Sequence, residues 1–376
     1  MRVALVHRDL HQITRGGICT LYLALAEHLT RAGHEVILVT QATEHPVVRD
    51  QITVVTLPRT DDLAAHRTAV AATIARLAPD VAECSTWEAE LLTYAQQPSH
   101  VPVLVRGDLS AATMGAHALA ADEAHLCRLA DAVVAVSAFA ADDLSTAYGL
   151  PRPTVIPHGV DRTRFTPTGP TRPATGWQIH LDRTGTVTTR QPLADVVRHD
   201  PAWASYFTPS QDLLRLVWVG KATQMKGFDR LTRIAAALPD HARLLIVLGH
   251  GHVHYPIDLP ADVLLCQDLH TSDVPAVYRA AEYLLSTSRW EGYGLAIAEA
   301  LACGTPALLP TDLAVTSELI TPGVSGLLWT DETDLHQILN QRPHLTGHLP
   351  AHCTWDATTT ATCAIYQAMT LPQAAR

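Results

Sequence analysis

The stretch that most constrains the fold is 286–310, STSRWEGYGLAIAEALACGTPALLP. The apolar pair Leu284-Leu285 before it reads as a buried strand. After it, Leu295, Ala298 and Ala302 recur at helical spacing until Gly304 and Pro306 end the run. The order is strand, glycine-bearing turn, helix N-terminus. Amides at such a terminus lack intrahelical partners and carry partial positive charge, so they bind phosphate. Gly292 and Gly294 let a ligand approach the backbone. Two carboxylates, Glu291 in the turn and Glu299 on the helix, stand eight positions apart. Glu299 falls a little over one turn after Leu295, on about the same face. Carboxylates in contact with a phosphate would repel it, so they suit neutral hydroxyls on either side of it.

A phosphate group flanked by two hydroxyl-bearing groups describes a nucleotide sugar. The spacing from Glu291 to Glu299 matches the E-x7-E signature, and the stretch resembles glycosyltransferase family 4, a family of retaining GT-B enzymes. The resemblance implies an α/β architecture of two Rossmann-like doubly wound domains facing a cleft that closes about a hinge. It also implies roles: Glu291 faces the donor sugar, Gly292, Tyr293, Gly294 and Leu295 meet sugar and diphosphate, and Glu299 holds the ribose hydroxyls.

The remaining chain is read against that expectation. Its 376 residues suit two domains of ordinary size. A net charge of −10 argues against nucleic acid or an anionic membrane as the main partner, so local cations must supply any phosphate binding. Seven cysteines without a C-x-x-C pair fit reduced core fillers in a cytoplasmic protein. No signal peptide is expected, and no stretch reaches the roughly 20 apolar residues of a membrane span.

The first half opens with a strand at Val3–Val6, a loop containing Gly16-Gly17, a helix from Ile18 to Leu29 and a strand at Val36–Val39, the start of a doubly wound sheet. In the resembling family, paired glycines here let the loop approach the donor diphosphate. Strand ends are where open α/β sheets hold ligands. That makes Glu83, Trp87, Arg106 and Asp108 the acceptor-side candidates, although Arg106-Gly107-Asp108 stands where many relatives have a histidine-containing segment. Ser137 reads as a helix N-cap. The run VIPHGVDRTRF, 155–165, resembles the family's exit from the first domain, with His158 in place of its asparagine.

The domains are expected at 1–166, with a C-terminal helix in 353–376 crossing back, and at 211–352. Between them, 167–210 reads as a linker or insertion with a β-hairpin around Asp182-Arg183-Thr184-Gly185. In the second half, a strand at Leu214–Val219 leads to Gly220-Lys221-Ala222-Thr223-Gln224-Met225-Lys226-Gly227. Lys221 and Lys226 are the only lysines in a chain whose other basic residues are 25 arginines. Relatives commonly place arginine and lysine-glycine at these two positions, against the diphosphate. Fixed cations there stabilise the charge that develops on the departing phosphate. Gly249 borders the donor site in relatives, and Gln267 and Leu269 are base-pocket candidates. The alternating His250, His252 and His254 invite a metal reading, but the intervening glycines favour a loop and no further ligand completes a set.

The expected activity is therefore metal- and cofactor-independent transfer of a hexose-type sugar, with retention, from a UDP- or GDP-sugar to a hydroxyl acceptor. The arginine-rich style suggests GC-rich bacterial coding, and with it a natural product or other small molecule as acceptor. A nucleotide-sugar epimerase on the same fold and a non-catalytic nucleotide-sugar binder are the alternatives. A phosphorylase would need a further lysine for its cofactor.

Overall fold

The computed structural model describes residues 1–11, 16–249, 259–260 and 262–371. The chain divides into two compact units, Met1–Gly159 with His352–Arg376, and Val160–Ala351.

In the first unit, seven short runs rich in Val, Leu and Ala form parallel strands: β1 (Arg2–Val6), β2 (Glu35–Gln41), β3 (Thr53–Leu57), β4 (Val81–Ser85), β5 (Val103–Gly107), β6 (Ala132–Ala135) and β7 (Thr154–Val155). Their order is β3-β2-β1-β4-β5-β6-β7. β1, β4 and β5 are buried almost throughout, as strands covered on both faces must be. The order reverses between β1 and β4, so the crevice outside their carboxyl ends is a ligand position. Asp62 caps the helix Leu63–Leu77 through the amides of Ala64 and Ala65. Ser137 caps the helix Ala138–Tyr148 through Ala140 N, as its position in the sequence predicts.

The C-terminal helix Trp355–Thr370 belongs to this unit. It is fastened by a buried cluster. Arg106 Nε donates to Glu83 Oε1 at 2.7 Å, Arg106 Nη2 reaches Thr362 Oγ1 at 2.9 Å, and the Tyr366 hydroxyl donates to Glu83 Oε2.

Among the described residues the second unit holds eight strands: β8 (Trp177–Leu181), β9 (Val187–Pro192), β10 (Leu214–Gly220), β11 (Ala242–Leu248), β12 (Leu264–Gln267), β13 (Tyr283–Leu285), β14 (Ala307–Pro310) and β15 (Gly326–Trp329). Their order is β15-β14-β13-β10-β11-β12-β8-β9. The six from β10 to β15 are parallel, and the order reverses between β10 and β13. Trp218, Phe228, Leu231, Leu244, Ile246, Leu285, Leu308 and Trp329 fill the core on one side of this sheet.

The segment 167–210 is not a linker set apart from the donor domain. Its hairpin forms where expected, with Gly185 N bonded to Asp182 O at 2.9 Å. It then adds to the parallel sheet, β8 pairing antiparallel with β12. Ile179 joins the core, and buried Tyr206 donates to Leu216 O at 3.0 Å. The divisions after Gly159 and before His352 differ correspondingly from the expected 166, 210 and 352. Polar, proline-rich composition around the hairpin concealed how much apolar surface it contributes to the second unit.

Candidate functional site

The site in the second unit is built by two loops at the reversal point, one after β10 and one after β13. They are laced together. Arg289 N donates to Met225 O at 2.9 Å, and Arg289 forms a two-pronged pair with Asp229 at 2.6 and 2.7 Å. Buried Thr287 receives Trp218 Nε1–H at 3.0 Å and donates to Lys226 O at 2.8 Å. Gly227, at φ 61°, caps the helix Phe228–Ala236, and a Cβ there would lie 1.9 Å from Thr287 O. Only glycine meets both conditions.

This lacing sets the position of Lys226. Its ammonium donates to both oxygens of Glu291, at 2.6 and 2.7 Å, and Ser288 Oγ donates to Glu291 Oε1 at 2.7 Å. The two side chains keep 21% and 11% of their surface exposed, so the pair borders solvent. The third ammonium proton remains available to a second acceptor. Sequence reading named both residues but not their pairing, because 65 positions separate them.

Gly294, at φ 88°, begins the helix Leu295–Ala302. The first intrahelical bond runs from Ala298 N to Gly294 O, so the amides of Leu295, Ala296 and Ile297 lie ahead of the ladder, as expected for an anion cradle. Gly292 and Tyr293 are buried behind the turn, and Leu295 is half-buried. Glu299, also half-buried, accepts from the Tyr278 hydroxyl at 3.2 Å. Burial pushes its carboxyl up to about 7, against the opposing pull of Arg164 and of the Tyr278 bond. Lys221 follows β10 directly, on the same edge as Gly249, whose amide donates to Gly220 O at 3.0 Å.

The two base-pocket candidates are both buried. Gln267 is 3% exposed and spends its side-chain amide on Gly249 O at 3.1 Å, while Leu269 is buried near Gly176. The histidines at 250, 252 and 254 lie outside the described residues.

In the first unit, Gly16 and Gly17 stand at the start of the helix Gly17–Arg31. Glu83 and Arg106 are 0% and 1% exposed and face each other. They are core residues that anchor the last helix, not acceptor contacts. Both side chains are turned to the C-terminal helix, where Thr362 and Tyr366 complete their hydrogen bonds. Trp87 and Asp108 remain half-buried just beyond the carboxyl ends of β4 and β5. Sequence reading missed a polar group at the β1/β4 reversal: His7, Arg8, His66, Glu88 and Glu90 converge there. The only signal was polarity just after each strand.

With this geometry in place, the comparisons are direct. Residues 15–164 match the model of Glycosyltransferase Family 4, and 214–341 match that of Glycosyl transferases group 1. The sucrose-phosphate synthase of Thermosynechococcus elongatus superposes with a TM-score of 0.75, at 17% identity, over 98% of both chains. Anabaena HepE in complex with UDP and glucose gives 0.67 at 16% identity, over 98% of this chain and 95% of that one. The fold is that of the GT-B glycosyltransferases, and the two halves of the chain carry glycosyltransferase domains similar to family 4 and to group 1 in turn. A D-inositol 3-phosphate glycosyltransferase of Xylanimonas cellulosilytica is 30% identical over 49% of this chain and 41% of its own length. The chain spans about half the length of the curated relatives it matches. Among the described residues no helix is long and apolar enough to cross a membrane.

Proposed function

We propose that the chain transfers a hexose-type sugar, with retention, from a UDP- or GDP-sugar to a hydroxyl of a small molecule, a bacterial natural product being the class in view. The observation that carries this reading is the set in the second unit. The Lys226–Glu291 pair and Glu299 stand on either side of the helix-start amides 295–297. An ammonium and bare amides suit a diphosphate, and the carboxylates suit sugar and ribose hydroxyls.

In this scheme the acceptor oxygen bonds to the anomeric carbon as the bond to the diphosphate breaks, and the acceptor's hydroxyl proton passes to the departing phosphate oxygen. The leaving electron pair settles on phosphate. Lys226 and Lys221 stabilise that charge more in the transition state than in the ground state. The residues ask for no cofactor beyond the nucleotide sugar. The lacing through Thr287 and Arg289 holds the ammonium in place before substrate arrives, which is where electrostatic catalysis gains most.

The test is release of nucleoside diphosphate from UDP-glucose and GDP-mannose across a panel of polyols and aminocyclitols. Acceptor-dependent release, with an α-linked product by NMR, is the expected result. Conversion of the donor sugar without acceptor would assign an epimerase, and tight binding without turnover a binding protein. An inverted linkage would remove retention alone.

A further inference from the structure

The segment 167–210 and the start of β12 together line a cavity of about 610 Å³ in the second unit. Small-molecule pockets run from roughly 300 to 1,000 Å³. Gln267 pairs with Trp177 and Cys266 with Gln178, so following β8 from Trp177 to Leu181 leads away from the carboxyl edge of the parallel strands. The loops that carry Lys226 and Glu291 follow β10 and β13 and stand on that carboxyl edge. The cavity lies toward the other end of β12, lined by the Asp182-Arg183 turn, by Asp262 and by the first residues of the helix Pro201–Tyr206. It is a place apart from the donor set.

Its wall carries polar atoms that the protein leaves unanswered. Trp203 lines the cavity at 4% exposure, and its indole N–H has no hydrogen-bond partner among the described residues. A buried indole N–H ordinarily finds one. Gln178, 7% exposed, spends one end of its amide on His180 Nε2 at 2.6 Å and has no partner for the other among the described residues. Asp200 uses Oδ1 for the amides of Ala202 and Trp203, at 2.8 and 3.2 Å, and Asp262 uses Oδ2 for Arg243 at 3.0 Å. The second oxygen of each is unused among the described residues. Arg183 is exposed at the turn. In the lining Asp182, Asp200 and Asp262 face that one guanidinium, a balance that repels phosphate. Carboxylate and amide acceptors beside guanidinium and indole donors match hydroxyls, which donate and accept together.

We infer that this cavity is a second carbohydrate site, which takes a neutral mono- or disaccharide through Trp203, Gln178, Asp200, Asp262 and Arg183. It does not depend on the transfer proposed above. The segment 167–210 supplies most of the wall, so the site belongs to that segment rather than to the parallel strands. A bound sugar joins β8 to the helix Pro201–Tyr206 and to the start of β12. Because it binds the folded chain alone, it also raises the stability of that chain.

The experiment is saturation-transfer NMR on the full chain with glucose, maltose and sucrose as probes, alone and with saturating UDP. Transfer to at least one sugar is expected, with a Kd of about 1 mM, and neither UDP nor Lys226→Ala should change it. Ala202 is exposed on the cavity wall, so Ala202→Trp fills the opening without burying a polar group and should weaken binding at least about tenfold. Arg183→Ala removes one donor and should weaken it about threefold or more. Both variants should keep the thermal midpoint of the unsubstituted chain without sugar. Absence of transfer to all three sugars overturns the assignment and leaves a cavity that holds water. So does transfer that UDP abolishes, which would put the sugar at the donor set, or transfer that both variants leave unchanged. A stronger response to glucose 6-phosphate than to glucose overturns the neutral ligand class. None of these results bears on the release of nucleoside diphosphate, so failure here leaves the transferase reading standing.

Discussion

Glu299 makes donor binding a proton-coupled event. In the empty site its carboxyl is displaced from 4.5 to about 7 by burial. A ribose hydroxyl donating to it favours the charged form and returns it toward its ordinary value. If the bound value is 4.5, linkage requires donor affinity at pH 6 to be about tenfold weaker than at pH 8. Close to one proton should be released per donor bound at pH 6, and almost none at pH 8. The sign for the empty protein is opposite. A carboxyl with a raised folded value contributes its stability fully below 4.5 and loses it as pH rises through 7, by about 3 kcal/mol at most. The assay is calorimetry of a nucleotide sugar at both pH values, in two buffers of different ionisation enthalpy. The intact donor is required because both its phosphates are diesters and do not titrate near neutrality. Glu299→Gln should abolish the pH dependence, and Glu299→Ala should lose donor affinity. Proton release that is equal at both pH values, or donor affinity unchanged in Glu299→Ala, refutes the ribose assignment.

Lys226→Ala should reduce kcat by about 10²-fold, the cost of one preorganised charge donor, when turnover is measured with saturating donor. Near-normal turnover would remove Lys226 from the phosphate. Thr287→Val keeps the volume but leaves the Trp218 N–H without its partner, so chemical denaturation should show a loss of about 1–3 kcal/mol. Turnover should also fall, because the Lys226 carbonyl is released. Glu83→Ala strands a buried guanidinium, and the first unit should lose about 3–5 kcal/mol in thermal or denaturant unfolding. An acceptor-binding role would instead leave stability intact and raise the acceptor KM.

The parallel sheets and the turn at Gly294 were legible because apolar runs, glycines and helical spacing are local signals. So were the Ser137 cap and the return of the last helix. Residue types also marked the proposed donor-side set, since Glu291 and the two lysines follow strand ends and Glu299 lies on the helix just beyond. What stayed hidden was reciprocal. Glu83 and Arg106 are polar residues on strands, and polarity alone says binding site, whereas register places them together against Tyr366 and Thr362. The side-chain contact of Gln267 with Gly249 O, across 18 positions, was hidden for the same reason. His7 and Glu90 went unnoticed because 83 positions separate them and neither belongs to a short motif. Pairings across a sheet are set by strand order, which no window of sequence contains.

The hairpin β8–β9 changes what the rim of the second sheet can do. Without it, Leu264–Gln267 would offer a row of open amides and carbonyls to any extended chain. The strand that takes its place outermost, VTTRQP, is polar, almost wholly exposed and closed by Pro192, with Arg190 tied to Asp268. Prolines and charged side chains at a border discourage further strand addition. The extra segment therefore works as a selvedge, and its removal should be read out first as self-association rather than as lost catalysis.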